Sequence, residues 1–276
     1  MNKRSVFFKL WVYFSGILII SVTLGMFLYL IYKGIGVISL EFIFSSPRGI
    51  VLGTEGGIFP AIVGSLCSGL LAGVIGGILG LCTAIYLAFY CKSLRIKSYI
   101  LHALQCLAGI PSVTLGLFGY SFLIVGFGLQ KSLLSVSLTL TIMIVPYLSI
   151  RFMKALEQSS KDQLICSLSL GISKGYTITK LIIPSSFKYI MTSLGLGIVF
   201  AMGATAPVMF TGAVIVAGIP TKISDPIMVL PYHLYMLINE GLSIEMAYGT
   251  AFVLIMMVLL INILCRYIGE YKGSVK

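Results

Sequence analysis

The chain has 276 residues, 58% of them hydrophobic and only 10% charged, with a mean hydropathy of +1.07. Soluble domains carry roughly 25% charged residues, so this composition excludes a water-soluble globular fold and a disordered chain alike. The net charge of +11 is spread over several separated segments, which excludes a nucleic-acid footprint gathered on one face.

Apolar stretches longer than the ~18–20 residues that cross a bilayer recur along the chain, and they predict an all-α polytopic membrane protein. In hydrocarbon every backbone N–H and C=O must be bonded within its own segment, and no alternating ten-residue segments suggest a barrel. Six transmembrane helices are predicted, at about 11–32, 60–90, 99–125, 132–150, 189–216 and 246–267. The first follows basic Met1–Lys9 and resembles a signal peptide, but the apolar run is too long and lacks a small-residue cleavage site before Tyr29 and Tyr32. It is read as a retained helix.

The second block is long for one crossing, so it either tilts or begins outside the membrane. It carries a stripe of small residues, Gly69, Gly73, Gly76, Gly77 and Gly80. Such stripes let helix backbones approach closely, against another helix of the chain or a partner subunit. No Lys, Arg, Asp or Glu falls centrally in a predicted span, which argues against a proton-driven pump. The polar groups at membrane depth are neutral: Ser112, Thr114 and Ser121 in the third helix, Thr139 and Thr141 in the fourth, Thr205 and Thr211 in the fifth. Most helical Ser and Thr simply bond back to the preceding turn. Gly203 and Pro207 predict an interruption of the fifth helix, and an interrupted helix exposes backbone groups to a path. Ser112, Thr114, Gly203, Thr205, Pro207 and Thr211 are therefore the translocation-path candidates.

A basic segment, 151–188, separates the fourth and fifth helices and reads as a cytoplasmic loop on which a soluble partner docks. With the N-terminus inside, the inner segments hold Lys3, Arg4 and Lys9; Lys92, Arg95 and Lys97; Arg151, Lys154, Lys161, Lys174, Lys180 and Lys188; and Arg266, Lys272 and Lys276. The outer segments hold only Lys33, Arg48, Lys131 and Lys222. This positive-inside bias predicts that both termini are cytoplasmic.

Six cysteines (Cys67, Cys82, Cys91, Cys106, Cys166, Cys265) fall in helices or on the cytoplasmic side, with no CxxC. Neither disulfides nor a metal site is expected. An intramembrane hydrolase would need a buried Ser–His pair or an aspartate dyad. His102 lies near the cytoplasmic end of its helix, His233 follows Pro231-Tyr232 outside, and Asp162 and Asp225 fall on opposite sides, so no catalytic residues are assigned. No GxxxxGK[ST] phosphate loop occurs, so an energy source must lie in another subunit.

Ile165-Cys166-Ser167-x3-Gly171, with Leu181-Ile182-Ile183-Pro184 following ten residues later, resembles the coupling-loop signature of ABC importer permeases. There Glu-Ala-Ala-x3-Gly precedes Ile-x-Leu-Pro; Gly171 and Pro184 match, while Ile165, Cys166 and Ser167 replace Glu, Ala and Ala. Gly56-Gly57-Ile58-Phe59-Pro60, Gly109-Ile110-Pro111-Ser112, Gly116-Leu117-Phe118-Gly119, Thr205-Ala206-Pro207, Phe210-Thr211-Gly212 and Leu230-Pro231-Tyr232-His233-Leu234-Tyr235 are similar to the phosphate-specific importer permeases, A-type subunit, in family order. One departure stands out. The family's Arg-Ala-Ile-Gly-Glu-Thr-Ala-Pro reads here Phe200-Ala201-Met202-Gly203-Ala204-Thr205-Ala206-Pro207, so the charge pair is replaced by Phe200 and Ala204.

The resemblance implies a type I ABC importer permease architecture in a bacterial inner membrane. It implies an N-terminal region 1–58, a permease domain 59–267 with a coupling loop at about 151–188, and a tail 268–276. The implied partners are a second, C-type permease, a cytoplasmic ATPase dimer and an external phosphate-binding protein. ATP and Mg would sit on the ATPase, with no cofactor on this chain. Ile165, Cys166, Ser167, Gly171 and Pro184 would couple to the ATPase, through a short helix at about 162–176 in which Leu164, Leu168 and Gly171 or Ile172 share a face. The missing charge pair leaves open another solute or a non-transporting regulatory paralogue.

Overall fold

The computed structural model describes residues 3–48 and 55–273. The side chains of Lys3, Arg4, Lys161, Asp162, Lys272 and Lys276, used above, lie outside the described set. The chain begins with α1 (Lys3–Ile35), a short α2 (Leu40–Phe44) and a two-stranded antiparallel ribbon, β1 (Pro47–Arg48) with β2 (Glu55–Gly56). There follow α3 (Phe59–Ile85), continued by a wide π turn at Tyr86–Tyr90, then α4 (Leu94–Ala108) and α5 (Ser112–Gly119), itself continued by π turns at Tyr120–Gly126. Then come α6 (Leu133–Ser169), α7 (Lys174–Thr177), a π turn at Ile178–Ile182, α8 (Ile183–Met202), α9 (Ala206–Thr211), α10 (Leu230–Asn239) and α11 (Ile244–Gly273).

Five helical segments are long and apolar enough to cross a membrane, and a sixth span is formed if the bent pair α4–α5 counts as one. The bend is 95° and falls at Gly109-Ile110-Pro111. The single helix expected over 99–125 is therefore two, with this break between them. Its cause is local: Pro111 supplies no N–H and disfavours helical geometry at Ile110.

The largest correction concerns 151–188, which is not a loop. Helix α6 runs on to Ser169, and after a four-residue turn the chain is helical again from Lys174 to Met202. Arg151–Gln163 is polar but rich in good helix formers. Its inward side carries Phe152, Met153 and Leu156, all buried, while Arg151, Lys154 and Gln158 face outward. The proposed short helix at 162–176 is therefore the last turns of α6, the turn, and α7.

Helix α6 is the central post. Val136, Leu140, Ile144, Leu148, Phe152 and Leu156 recur every four residues, and none is more than 1% exposed. The glycines of α3 fit two neighbours at once. Gly76 and Gly80 face α6, where an added Cβ would sit 2.9 Å from Ile144 Cγ1 and 3.0 Å from Leu148 Cβ. Gly69, Gly73 and Gly77 face α8, against Met202, Ile198 and Leu194. On the far side of α8, Gly195 meets Cys265 of α11.

Helix α1 packs little: from Phe8 onward most of its apolar side chains are exposed, with Phe27, Leu30 and Ile31 half-buried, and it touches α11 where Gly34 meets Phe252 and Tyr29 meets Tyr248 edge-on at 5.8 Å. The end of the bundle at the start of α6 is strapped by 212–229 and the start of α10. Leu133 N–H donates to the Asp225 carbonyl (2.9 Å), Leu134 N–H to the Ile223 carbonyl (3.0 Å) and Leu230 N–H to buried Ser65 Oγ (2.8 Å). Asp225 itself accepts from the N–H groups of Thr221 and Lys222, which hold its carboxyl below the usual carboxylate range.

Candidate functional site

Two helix breaks converge on one cavity of about 840 Å³. One wall is the α4–α5 bend, with Ile110 and Ser112; the opposite wall is the α8–α9 break, with Phe200, Gly203, Ala204 and Thr205; Met143 and Tyr147 of α6 form the back. The α8–α9 break is centred on Gly203-Ala204-Thr205, the interruption expected from Gly203 and Pro207. Pro207 lies in the first turn of α9, where its missing N–H costs nothing. Helices α5 and α9 both begin at the cavity wall, so their N-terminal ends, where helix N–H groups lack intrahelical acceptors, face it.

Among the path candidates, Ser112, Gly203 and Thr205 line this cavity. Thr114, Pro207 and Thr211 do not. Thr114 is exposed on α5. Pro207 is buried where α9 crosses α5, its Cα 2.9 Å from the position of a Cβ on Gly116. Thr211 is fully buried against Gly119 and its hydroxyl donates to the Pro207 carbonyl at 2.8 Å, the back-bond expected of an ordinary helical threonine. Tyr147 and Met143 were not singled out from sequence. The available signal was position: Tyr147 lies four and Met143 eight residues before Arg151, at the end of an apolar run. Among the described residues no Lys, Arg, Asp or Glu lines the cavity, and Phe200 and Ala204 stand in its wall.

The second candidate region is the turn after α6. Gly171 has φ +77°; its N–H donates to the Leu168 carbonyl (3.0 Å) and Ile172 N–H to the Ser167 carbonyl (3.0 Å). This pairing is a Schellman C-cap, which needs a residue in the left-handed region. The turn presents apolar side chains to solvent: Ile165, Leu168, Leu170 and Tyr176 are all exposed, Leu170 at 78%. Of the coupling candidates, Ile165 and Cys166 point outward, Ser167 is buried, and Pro184 opens α8 half-buried. Leu164 and Ile172 are half-buried, so the shared apolar face turns partly inward, while Leu168 stays exposed. Lys174 ties the turn to the end of α3: its ammonium donates to the Phe89 carbonyl and lies 4.9 Å from the Tyr90 ring centroid.

The two histidines lie on different helices, and the serine nearest to His102 is Ser98 of the same helix, with Oγ 3.2 Å from Nδ1 on an exposed face. His102 is exposed on α4 with Nδ1 2.7 Å from the Ser98 carbonyl; His233 is buried in α10, its Nδ1 unpaired, and burial pushes its pKa down to about 4. Among the described residues no group of three or more His, Cys, Asp or Glu could hold a metal.

Residues 80–271 match the family described as binding-protein-dependent transport system inner membrane component. The chain belongs to this family. It is thus a multi-pass membrane permease subunit of a binding-protein-dependent importer. It is 27% identical to the phosphate transport system permease protein PstA 2 of Mycobacterium bovis, over 79% of this chain and 73% of that one. It is 29% identical to the probable phosphate transport system permease protein PstA of Methanocaldococcus jannaschii, over 94% and 92%. It is 25% identical to the probable ABC transporter permease protein YqgI of Bacillus subtilis, over 91% and 90%. In fold it is similar to the MetNI methionine ABC transporter solved in inward-facing conformations, with a TM-score of 0.65, 16% identity, and coverage of 77% of this chain and 94% of that one. The fold is that of an ABC importer permease.

Proposed function

We propose that this chain forms one half of the translocation path of a phosphate importer and transmits movement from a cytoplasmic ATPase dimer through the Gly171 turn. The observation that carries this reading is the convergence of two broken helices on one cavity in a chain whose relatives include proteins named phosphate transport permeases. A phosphate in that cavity would be met by helix N-terminal N–H groups at Ser112 and Ala206, which line it. A second, C-type permease supplies the opposite half and any fixed cation, and an external phosphate-binding protein delivers the ion. Fifteen inner against four outer basic residues support cytoplasmic termini and put the turn on the ATPase side. With no phosphate loop in the chain, ATP and Mg bind the ATPase. Ile165, Cys166, Ser167, Gly171 and Pro184 make up the docking surface, and its exposed apolar side chains support burial against a partner.

The test is radiolabelled phosphate uptake into proteoliposomes containing this chain, the co-encoded permease and ATPase, and the binding protein. ATP-dependent phosphate uptake is expected. A second reading, a less charged solute, is favoured by one observation: every cavity-lining side chain is uncharged, with Phe200 and Ala204 at the centre of one wall. An assembled complex that hydrolyses ATP without moving phosphate would replace the first reading with this one, or with a regulatory role.

A further inference from the structure

The faces of α6 and α8 that line the cavity continue toward the turn and there border a second cleft, of about 500 Å³, closed on its third side by α11. On α6, Tyr147 of the cavity is followed at helical spacing by Arg151, Lys154 and Gln158 of the cleft; on α8, Phe200 is followed by Leu196, Thr192 and Tyr189. Four cations from three helices meet there: Arg151 and Lys154 from α6, Lys188 from α8 and Arg266 from α11. Among the described residues Glu270 is the one carboxylate in the lining, and it is shared, 3.3 Å from Lys188 Nζ and 3.4 Å from Arg266 Nε. Among the described residues Arg151 and Lys154 have no carboxylate partner; the Arg151 guanidinium lies 5.5 Å from the Tyr147 ring centroid, which holds it at the boundary between cavity and cleft.

A three-helix cleft with surplus positive charge at the edge of the hydrocarbon is unfavourable unless an anion completes it, because like charges repel more strongly there than in bulk water. Guanidinium and ammonium groups with the Tyr189 phenol and the Asn262 amide make a donor set suited to phosphate oxygens. We propose that this cleft is a binding site for a phosphate group at the inner membrane surface. It rests on the orientation argued above, which puts these ends of α6, α8 and α11 on the cytoplasmic side. Two sources share the chemistry: the headgroup of an anionic phospholipid, whose chains would lie along the exposed apolar face of α11, and free inorganic phosphate leaving the cavity.

The experiment uses the assembled transporter complex in mild detergent, without ATP or binding protein, so it reads the cleft independently of transport. Retention of phosphatidylglycerol against phosphatidylcholine is measured by native mass spectrometry, and equilibrium binding of radiolabelled inorganic phosphate is measured in parallel. The expected result is preferential retention of phosphatidylglycerol, weakened at least tenfold by Arg151→Gln combined with Arg266→Gln and also by the exposed Lys154→Gln, but not by Lys92→Gln outside the cleft. Phosphate binding with the same sensitivity, displacing the lipid, identifies the free ion as an occupant and also supports the site. Equal retention of both lipids with no phosphate binding, or binding indifferent to the cleft variants, overturns the proposal.

Discussion

Gly171 combines a left-handed backbone, φ +77°, with open space where a Cβ would project. A substitution there is opposed by backbone strain alone, about 1–2 kcal/mol for a residue with a side chain. That strain is too small to unfold a bundle but large enough to reshape a four-residue turn. Gly171→Val should leave the complex assembled and hydrolysing ATP while lowering uptake at least tenfold, with both activities measured on the same proteoliposomes. Unchanged uptake would remove the coupling role. The separation of Gly171 from Pro184 was readable in the sequence because a C-cap and a helix start impose residue types. The outward aim of Ile165 and inward aim of Ser167 were not, since they depend on how the end of α6 seats on Ile178–Ser185.

At the scale of elements, α3 shows what small residues do in a membrane bundle. Its glycines form two faces, one for α6 and one for α8, and side chains would force these helices apart. Gly76→Leu should therefore lower the melting temperature of the purified protein, with overpacking costing about 1–3 kcal/mol. Gly25→Leu in α1, where nothing lies within 4 Å, should leave it unchanged. Equal losses in the two would show that the contact does not govern stability. The stripe was legible as a packing device, but which helix each glycine met was not, because the answer depends on bundle geometry. The polar segment 151–188 departs from the loop its charge predicts for a different reason: Lys, Arg, Glu and Gln extend helices readily once these leave the hydrocarbon. The break at Gly109-Ile110-Pro111 is of another kind, local and present in the sequence.

For the whole molecule, composition and basic-residue bias carried the most: the solvent, the helical class and the number of crossings follow from them. The orientation they predict can be checked in a cysteine-free background. Leu170→Cys, at the exposed turn, should react with a membrane-impermeant maleimide only from the cytoplasmic side, and Lys222→Cys only from outside; the reverse pattern would invert the topology. The strap formed by 212–229 escaped sequence reading because its bonds to α6 are made by backbone groups, which any residue supplies.

Those strap bonds acquire a mechanical meaning from the length of α6. The helix is seated on Gly76 and Gly80 through Ile144 and Leu148, with Pro146 between them. At ~1.5 Å per residue, about 32 Å of rod extends from this seat to the Gly171 turn and about 17 Å to the strap. It is a lever with unequal arms. If the helix pivots at this seat as one rod, a sideways push at Gly171 would arrive at the 212–229 strap reversed in direction and about halved in size, so the strapped end would move less, and with more force, than the Gly171 end.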